Sequence, residues 1–252
     1  MRGDLGTERR FESYLAKIGA ILRTDRQRAH FATYAVGILS DCERKSCEPI
    51  AALGATSPRD AQQRHDNLFY FIRDALWDDE AIRLCATREA IEALERRGGV
   101  TAWVVDDTGF PKQGKGSVGV QRQYSGTLGK IGNCQIGVSL AVATQHEHVP
   151  VDFALYLPAL WADDPVRRKA SRIPDHVGFA TKIELAIEMM DRAYRNGIPG
   201  DVVLADAAYG SSGPFREYVL SLGKHFACGM QGDCLLQLLT PQGRRQGEAD
   251  RR

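Results

Sequence analysis

Ala102-Trp103-Val104-Val105-Asp106-Asp107 and, a hundred residues on, Val202-Val203-Leu204-Ala205-Asp206 are the two stretches that decide the fold. Each is a short unbroken apolar run ending in aspartate, the pattern of a strand buried on both faces. Residues 108–133 read as Gly-rich and irregular. Beyond them Ile136, Val138, Leu140 and Val142 alternate at period two. Gln145-His146-Glu147-His148 then turns the chain, and Val149, Val151, Phe153 and Leu155 alternate again, so 134–157 is predicted as a hairpin. A polar stretch with Pro158, Pro165 and Pro174 follows. Phe179, Ile183, Ala186, Ile187, Met190 and Tyr194 trace a helix face that stops at Asn196-Gly197. Ser212 opens a helix through Phe215, Val219 and Leu222 to Gly223, and His225–Gly229 reads as a last strand.

From residue 101 the order is therefore strand, strand, strand, helix, strand, helix, strand. This predicts an α/β fold, a mixed sheet flanked by helices. The right-handed crossover rule sets the fourth strand beside and parallel to the first. That is the ribonuclease-H-like arrangement, and it brings Asp106 and Asp206 together at neighbouring strand ends. Upstream the period is helical. Phe11, Tyr14, Leu15, Ile18 and Leu22 form one apolar stripe; Phe31, Tyr34, Ala35, Ile38 and Leu39 another; Leu68, Ile72, Ala75 and Leu76 a third. Ile91 and Leu94 close a further helix before Gly98-Gly99. The expected organisation is an all-α N-terminal domain over 8–97, a ribonuclease-H-like domain over 100–230 and a polar tail over 231–252.

The 252 residues carry 33 Lys+Arg against 32 Asp+Glu, so a basic coat for nucleic acid is excluded as a whole-chain property and any steering must be local. No apolar run approaches the ~20 residues that span a bilayer, and Met1-Arg2-Gly3-Asp4-Leu5 lacks the apolar stretch of a signal peptide. A cytoplasmic chain with no membrane partner is expected. The six cysteines, Cys42, Cys47, Cys85, Cys134, Cys228 and Cys234, form no Cys-x-x-Cys pair and read as buried reduced thiols.

Two carboxylates at neighbouring strand ends repel unless a cation lies between them, and oxygen ligands with open positions suit Mg²⁺ or Mn²⁺. Two such ions about 4 Å apart activate water and stabilise a leaving oxygen in phosphodiester cleavage. The alternative is that Asp106 and Asp206 cap strand-to-loop turns, where aspartate is common. By the pleat, Asp107 faces the other way. Residues 108–146 hold Lys112, Lys115, Arg122 and Lys130 with no Asp or Glu, and their glycines would let backbone approach a phosphate chain. A flexible surface loop is the competing reading. Gly109–Gly116 nearly fits a P-loop, but Gly116 stands in place of the magnesium-binding hydroxyl residue and no helix follows. Gly114, Gly116 and Gly119 match G-x-G-x-x-G, again with no helix behind them. His146 and His148 lack a third ligand and read as an exposed turn. Met189-Met190 reads as core, and Glu184 and Glu188 as a solvated helix face, although a carboxylate there could assist a metal.

Val105-Asp106-Asp107-Thr108-Gly109-Phe110-Pro111-Lys112, Ser117 through Lys130 (with Gln121-Arg122-Gln123-Tyr124-Ser125-Gly126) and Asn133-Cys134-Gln135 closely resemble the bacterial insertion-sequence 701 family of DDE transposases. So do Leu155-Tyr156-Leu157-Pro158, Trp161, Ile173-Pro174, Phe179-Ala180-Thr181-Lys182, Leu204-Ala205-Asp206 and Tyr209-Gly210, with Gly37, Glu43-Arg44-Lys45-Ser46 and Trp77-Asp78 in the helical part. The resemblance runs from about residue 11 to about 230. It implies a ribonuclease-H-like catalytic domain that uses two metal ions to cut transposon ends and join 3′-hydroxyls to target DNA. By motif position Asp106 is the first acidic residue and Asp206 the second. The family's third, a helix glutamate, has no counterpart, and Glu248 in the polar tail is not a substitute. The chain resembles a C-terminally truncated copy with impaired strand transfer. The partners implied are transposon-end and target DNA, with nucleoid association when DNA is bound. A homo-oligomer is left open. The alternative is a non-catalytic DNA-binding chain that occupies ends or blocks the full-length enzyme, with Arg23, Arg26, Arg28, Arg44 and Lys45 as backbone contacts.

Overall fold

The computed structural model describes residues 5–232. The chain divides into two compact units, Met1–Ala93 and Leu94–Arg252. Residues 233–252, which hold Cys234, Glu248 and most of the expected polar tail, lie outside the described residues.

The first unit is helical: α1 (Leu5–Ile21), α2 (Asp25–Leu39), α3 (Cys47–Ala52), α4 (Pro58–Arg73) and α5 (Asp79–Glu95). The starts of α2 and α4 are written locally. Thr24 and Ser57 each accept a backbone N–H three residues on, and Pro58 occupies a first-turn position where its missing N–H costs nothing. Ile18 and Leu22 are buried as their stripe predicts, and Ile50, Ala51 and Leu68 form a small core with Tyr34 and Cys47. Two stripes are corrected. Ile38 and Leu39 of α2 are exposed; α4 buries Phe71 with Leu68 and leaves Ile72 exposed, and Leu76 is exposed beyond its end at Arg73.

The second unit is a six-stranded mixed sheet: β1 (Ala102–Pro111), β2 (Gln121–Ser125), β3 (Lys130–Ala143), β4 (His148–Leu155), β5 (Val202–Ala205) and β6 (His225–Cys228). The order is β2-β3-β1-β5-β6, with β4 also on β3. β1, β2, β3 and β4 pair antiparallel, whereas β1/β5 and β5/β6 are parallel. This is the ribonuclease-H-like fold, with the crossover strand beside the first strand. α6 (Ala159–Ala162), α7 (Pro165–Ala170), α8 (Lys182–Arg195), α9 (Ala207–Gly210) and α10 (Gly213–Ser221) complete it.

The segment read as irregular is the main departure. β1 runs on to Pro111, residues 121–125 form a strand, and β3 begins at Lys130. α8 starts three residues later than its apolar face suggests, because Thr181 and Glu184 form a capping box; Phe179 precedes the helix and packs edge-on to Tyr156. α8 lies against β3 and β4, with Met189 and Met190 fully buried and Arg192 paired to Asp152 at 2.9 Å. The described cysteines are all free, but Cys134 alone is buried; Cys42, Cys47, Cys85 and Cys228 are half-buried.

Candidate active site at the strand ends

β1 and β5 run parallel in register from Ala102 opposite Val202 to Val105 opposite Ala205. Asp106 and Asp206 are the next residues on the two chains. β1 continues alongside β3, whereas β5 stops at Ala205 and the chain turns into α9. Asp206 caps that turn: its Oδ1 accepts the N–H groups of Ala208 at 2.9 Å and Tyr209 at 3.3 Å. The Oδ1 of Asp106 accepts the Asp107 N–H at 2.7 Å. Both side chains stay exposed. The capping role expected of aspartate at such turns is present for Asp206, and in each carboxylate the backbone N–H groups bond to Oδ1 alone. Among the described residues no cation pairs with either.

Asp107 behaves differently. The pleat turns it to the opposite face, where its Oδ2 accepts from Lys182 Nζ at 2.9 Å and, at a long 3.4 Å, from the Tyr209 hydroxyl. Tyr209 is 1% exposed. Burial first, then the charge of and hydrogen bond to Asp107, with smaller contributions from Asp206 and Asp106, push its phenol well above the usual range. That ring is thus within electrostatic reach of all three aspartates. Neither Lys182 nor Tyr209 was assigned a role by sequence reasoning. The Thr181-to-Glu184 capping box fixes where Lys182 leaves the helix start, but its partner lies 75 residues away.

Lys112, Lys115, Arg122 and Lys130 are all exposed. They do not share one face, because Arg122 pairs with Asn133 and Lys130 with Ser125, an odd offset along β3. The loop that follows β1 is built rather than loose: Asn133 Nδ2 donates to the carbonyls of Lys112 and Gly114, and Gln135 donates to Val118. Val120, Leu157 and Trp161 close a small core beneath it. Arg122 shares its face with the exposed Tyr124, and by register with the strand positions of Phe110 and Asp106. His146 and His148 are exposed at the β3–β4 turn. Glu184 is taken up by Thr181, whose backbone N–H first and hydroxyl second hold its carboxyl below the usual range.

Exposed carboxylate oxygens with no paired cation are a hard donor set of the kind Mg²⁺ and Mn²⁺ take. Among the described residues no group of three or more His, Cys, Asp or Glu is arranged to hold a metal.

The sequence profile of the DDE superfamily endonucleases matches residues 18–252. The chain belongs to this family. It is 31% identical over 210 residues to the "Probable transposase for insertion sequence element IS701" of Microchaete diplosiphon, an overlap that covers 82% of this chain and 50% of that protein. The chain thus spans about half the length of this curated relative. DDE endonucleases generally use divalent metal ions. Among the described residues no helix is long and apolar enough to cross a membrane.

Proposed function

We propose that this chain carries the catalytic sheet of an insertion-sequence transposase, with DNA as its substrate and Asp106 and Asp206 as the residues that hold a divalent ion, Mg²⁺ or Mn²⁺. The observation that carries the reading is the parallel β1–β5 register, which makes two exposed, cation-free carboxylates successors on neighbouring strands. When bound, the ion would supply charge stabilisation and an activated water for phosphodiester cleavage. Asp106 and Asp206 orient their open oxygens by spending the other on backbone N–H groups. Lys182 neutralises Asp107, so the negative charge facing solvent belongs to the two outer acids. Tyr209, protonated at neutral pH, ties β1 to α9 and so sets the spacing of the pair. Exposed Lys112, Lys115, Arg122 and Lys130 supply phosphate contacts from more than one side of the neighbouring hairpin.

Mn²⁺ titration followed by electron paramagnetic resonance tests the pair. Wild type is expected to bind weakly, and Asp106→Asn or Asp206→Asn to lower affinity about tenfold or more; unchanged binding in both variants overturns the assignment. With two donors among the described residues in place of three, cleavage of terminal-repeat DNA is expected to fall by orders of magnitude from that of a complete site. Robust Mg²⁺-dependent cutting that Asp106→Ala abolishes would overturn the impairment.

The same absence of a third donor among the described residues favours, as a second reading, a DNA-binding role without cleavage. It requires a gel shift that weakens with rising salt. Of its proposed contacts, Arg28 is engaged by Asp25 and the Gly19 carbonyl, and Lys45 by the Ser40 carbonyl. Arg23 and Arg26 line a cleft, and Arg44 is exposed.

A further inference from the structure

The helical unit contains a cleft of about 410 Å³ between the start of α2 and the end of α4, lined by Arg23, Arg26 and His30 on one side and Tyr70, Phe71 and Asp74 on the other. This is the size range of small-ligand sites. Its charge is unbalanced. Arg23 has no side-chain partner among the described residues, and Arg26 donates only to neutral groups, Asn67 at 2.5 Å and His30 at 3.4 Å. The carboxylate in the wall, Asp74, is already held by Arg73 at 2.6 Å. His30 adds no charge near neutral pH, because burial and then Arg26 hold its imidazole below the usual range. The opposite wall is aromatic. Tyr70 is 56% exposed, and the next residue, Phe71, is buried with the Trp77 ring stacked at 6.1 Å and His30 at 6.2 Å. Two uncompensated guanidiniums match a phosphate, and a solvent-facing aromatic ring matches a flat base.

We propose that this cleft is a nucleotide site, taking a phosphate between Arg23 and Arg26 and its base against Tyr70. The inference extends the DNA-substrate reading to the helical unit but does not use the aspartates. The same chemistry arises from a free mononucleotide or from one unit of a DNA strand.

The test is a titration of the full chain with inorganic phosphate, with dTMP and with a twelve-nucleotide single strand, read by amide chemical shifts. Shifts are expected at Arg23, Arg26 and Tyr70, with dTMP binding about tenfold more tightly than phosphate. Arg23→Gln with Arg26→Gln should weaken both by about tenfold or more. Tyr70→Ala, at an exposed position that folding tolerates, should weaken dTMP alone. A strand that competes with dTMP identifies DNA as the source; dTMP binding without such competition identifies a free nucleotide. Equal affinity for phosphate and dTMP, indifference to Tyr70→Ala, or no shifts in the cleft overturns the proposal. Asp106→Asn should leave all of these values unchanged, so failure here and failure of the metal reading are separable.

Discussion

Asp106 and Asp107 are adjacent in sequence and opposite in circumstance. Strand alternation alone predicts that they face different ways, and that much was readable from Val105-Asp106-Asp107. It does not say that Lys182 waits on the inner side, because an ion pair across 75 residues leaves no local trace. Its side chains are 33% and 19% exposed, so the pair is only partly screened by water. Lys182→Met is expected to cost about 1–3 kcal/mol in urea unfolding, the penalty for leaving a half-buried carboxylate without its donor. Adding Asp107→Asn should recover part of that loss. Strictly additive costs in the double variant would show that the two side chains do not interact.

At the scale of elements, the segment after β1 shows how glycine obscures a strand. Seven glycines between 109 and 132 read as a loose connection, yet this stretch supplies the end of β1, all of β2 and the start of β3. Gly109 is there for proximity. The β2–β3 hairpin curls over the sheet so closely that a Cβ at 109 would lie 2.2 Å from Ser125 Oγ and 3.3 Å from its Cα, and Ser125 is itself buried. Gly109→Ala should therefore destabilise by about 1–3 kcal/mol, lowering the melting temperature by several degrees. Ser125→Gly in the same chain should restore part of it, by clearing the atoms that clash. A Gly109→Ala protein that melts with wild type would mean the hairpin lies farther from β1. Elsewhere local signals sufficed: Ser212 before α10 and Asn196-Gly197 after α8 mark element ends through bonds made within a few residues.

For the molecule as a whole, the alkaline limit of stability is set by phenols that folding withdraws from water: Tyr14 in the helical unit, Tyr209 and Tyr218 in the sheet unit. In the sheet unit two phenols, Tyr218 and Tyr209, sit next to acids. Tyr218 donates to Asp191 at 3.1 Å, and burial first, then that bond and charge, push its phenol up to about 12. Tyr209 is shifted in the same direction for the reasons given above. A phenol whose folded value is raised contributes stability that is fully present below the free value of about 10 and is lost as pH rises through the folded value. Urea midpoints are thus expected to be level up to about pH 9 and to fall beyond pH 10. Tyr218→Phe should flatten that fall, and an unchanged alkaline slope in this variant would remove Tyr218 from the account.

The sequence by itself determined the strand pair 102–105 and 202–205, their parallel neighbourhood and the family, because apolar runs, crossover handedness and ordered motifs are properties of the chain written in order. Only the tertiary structure decided which acid stays in solvent and which is neutralised, that a glycine-rich stretch is sheet, and that two arginines and a tyrosine share a cleft. Those outcomes depend on contacts between residues far apart along the chain, and such contacts exist only once the backbone has closed around them.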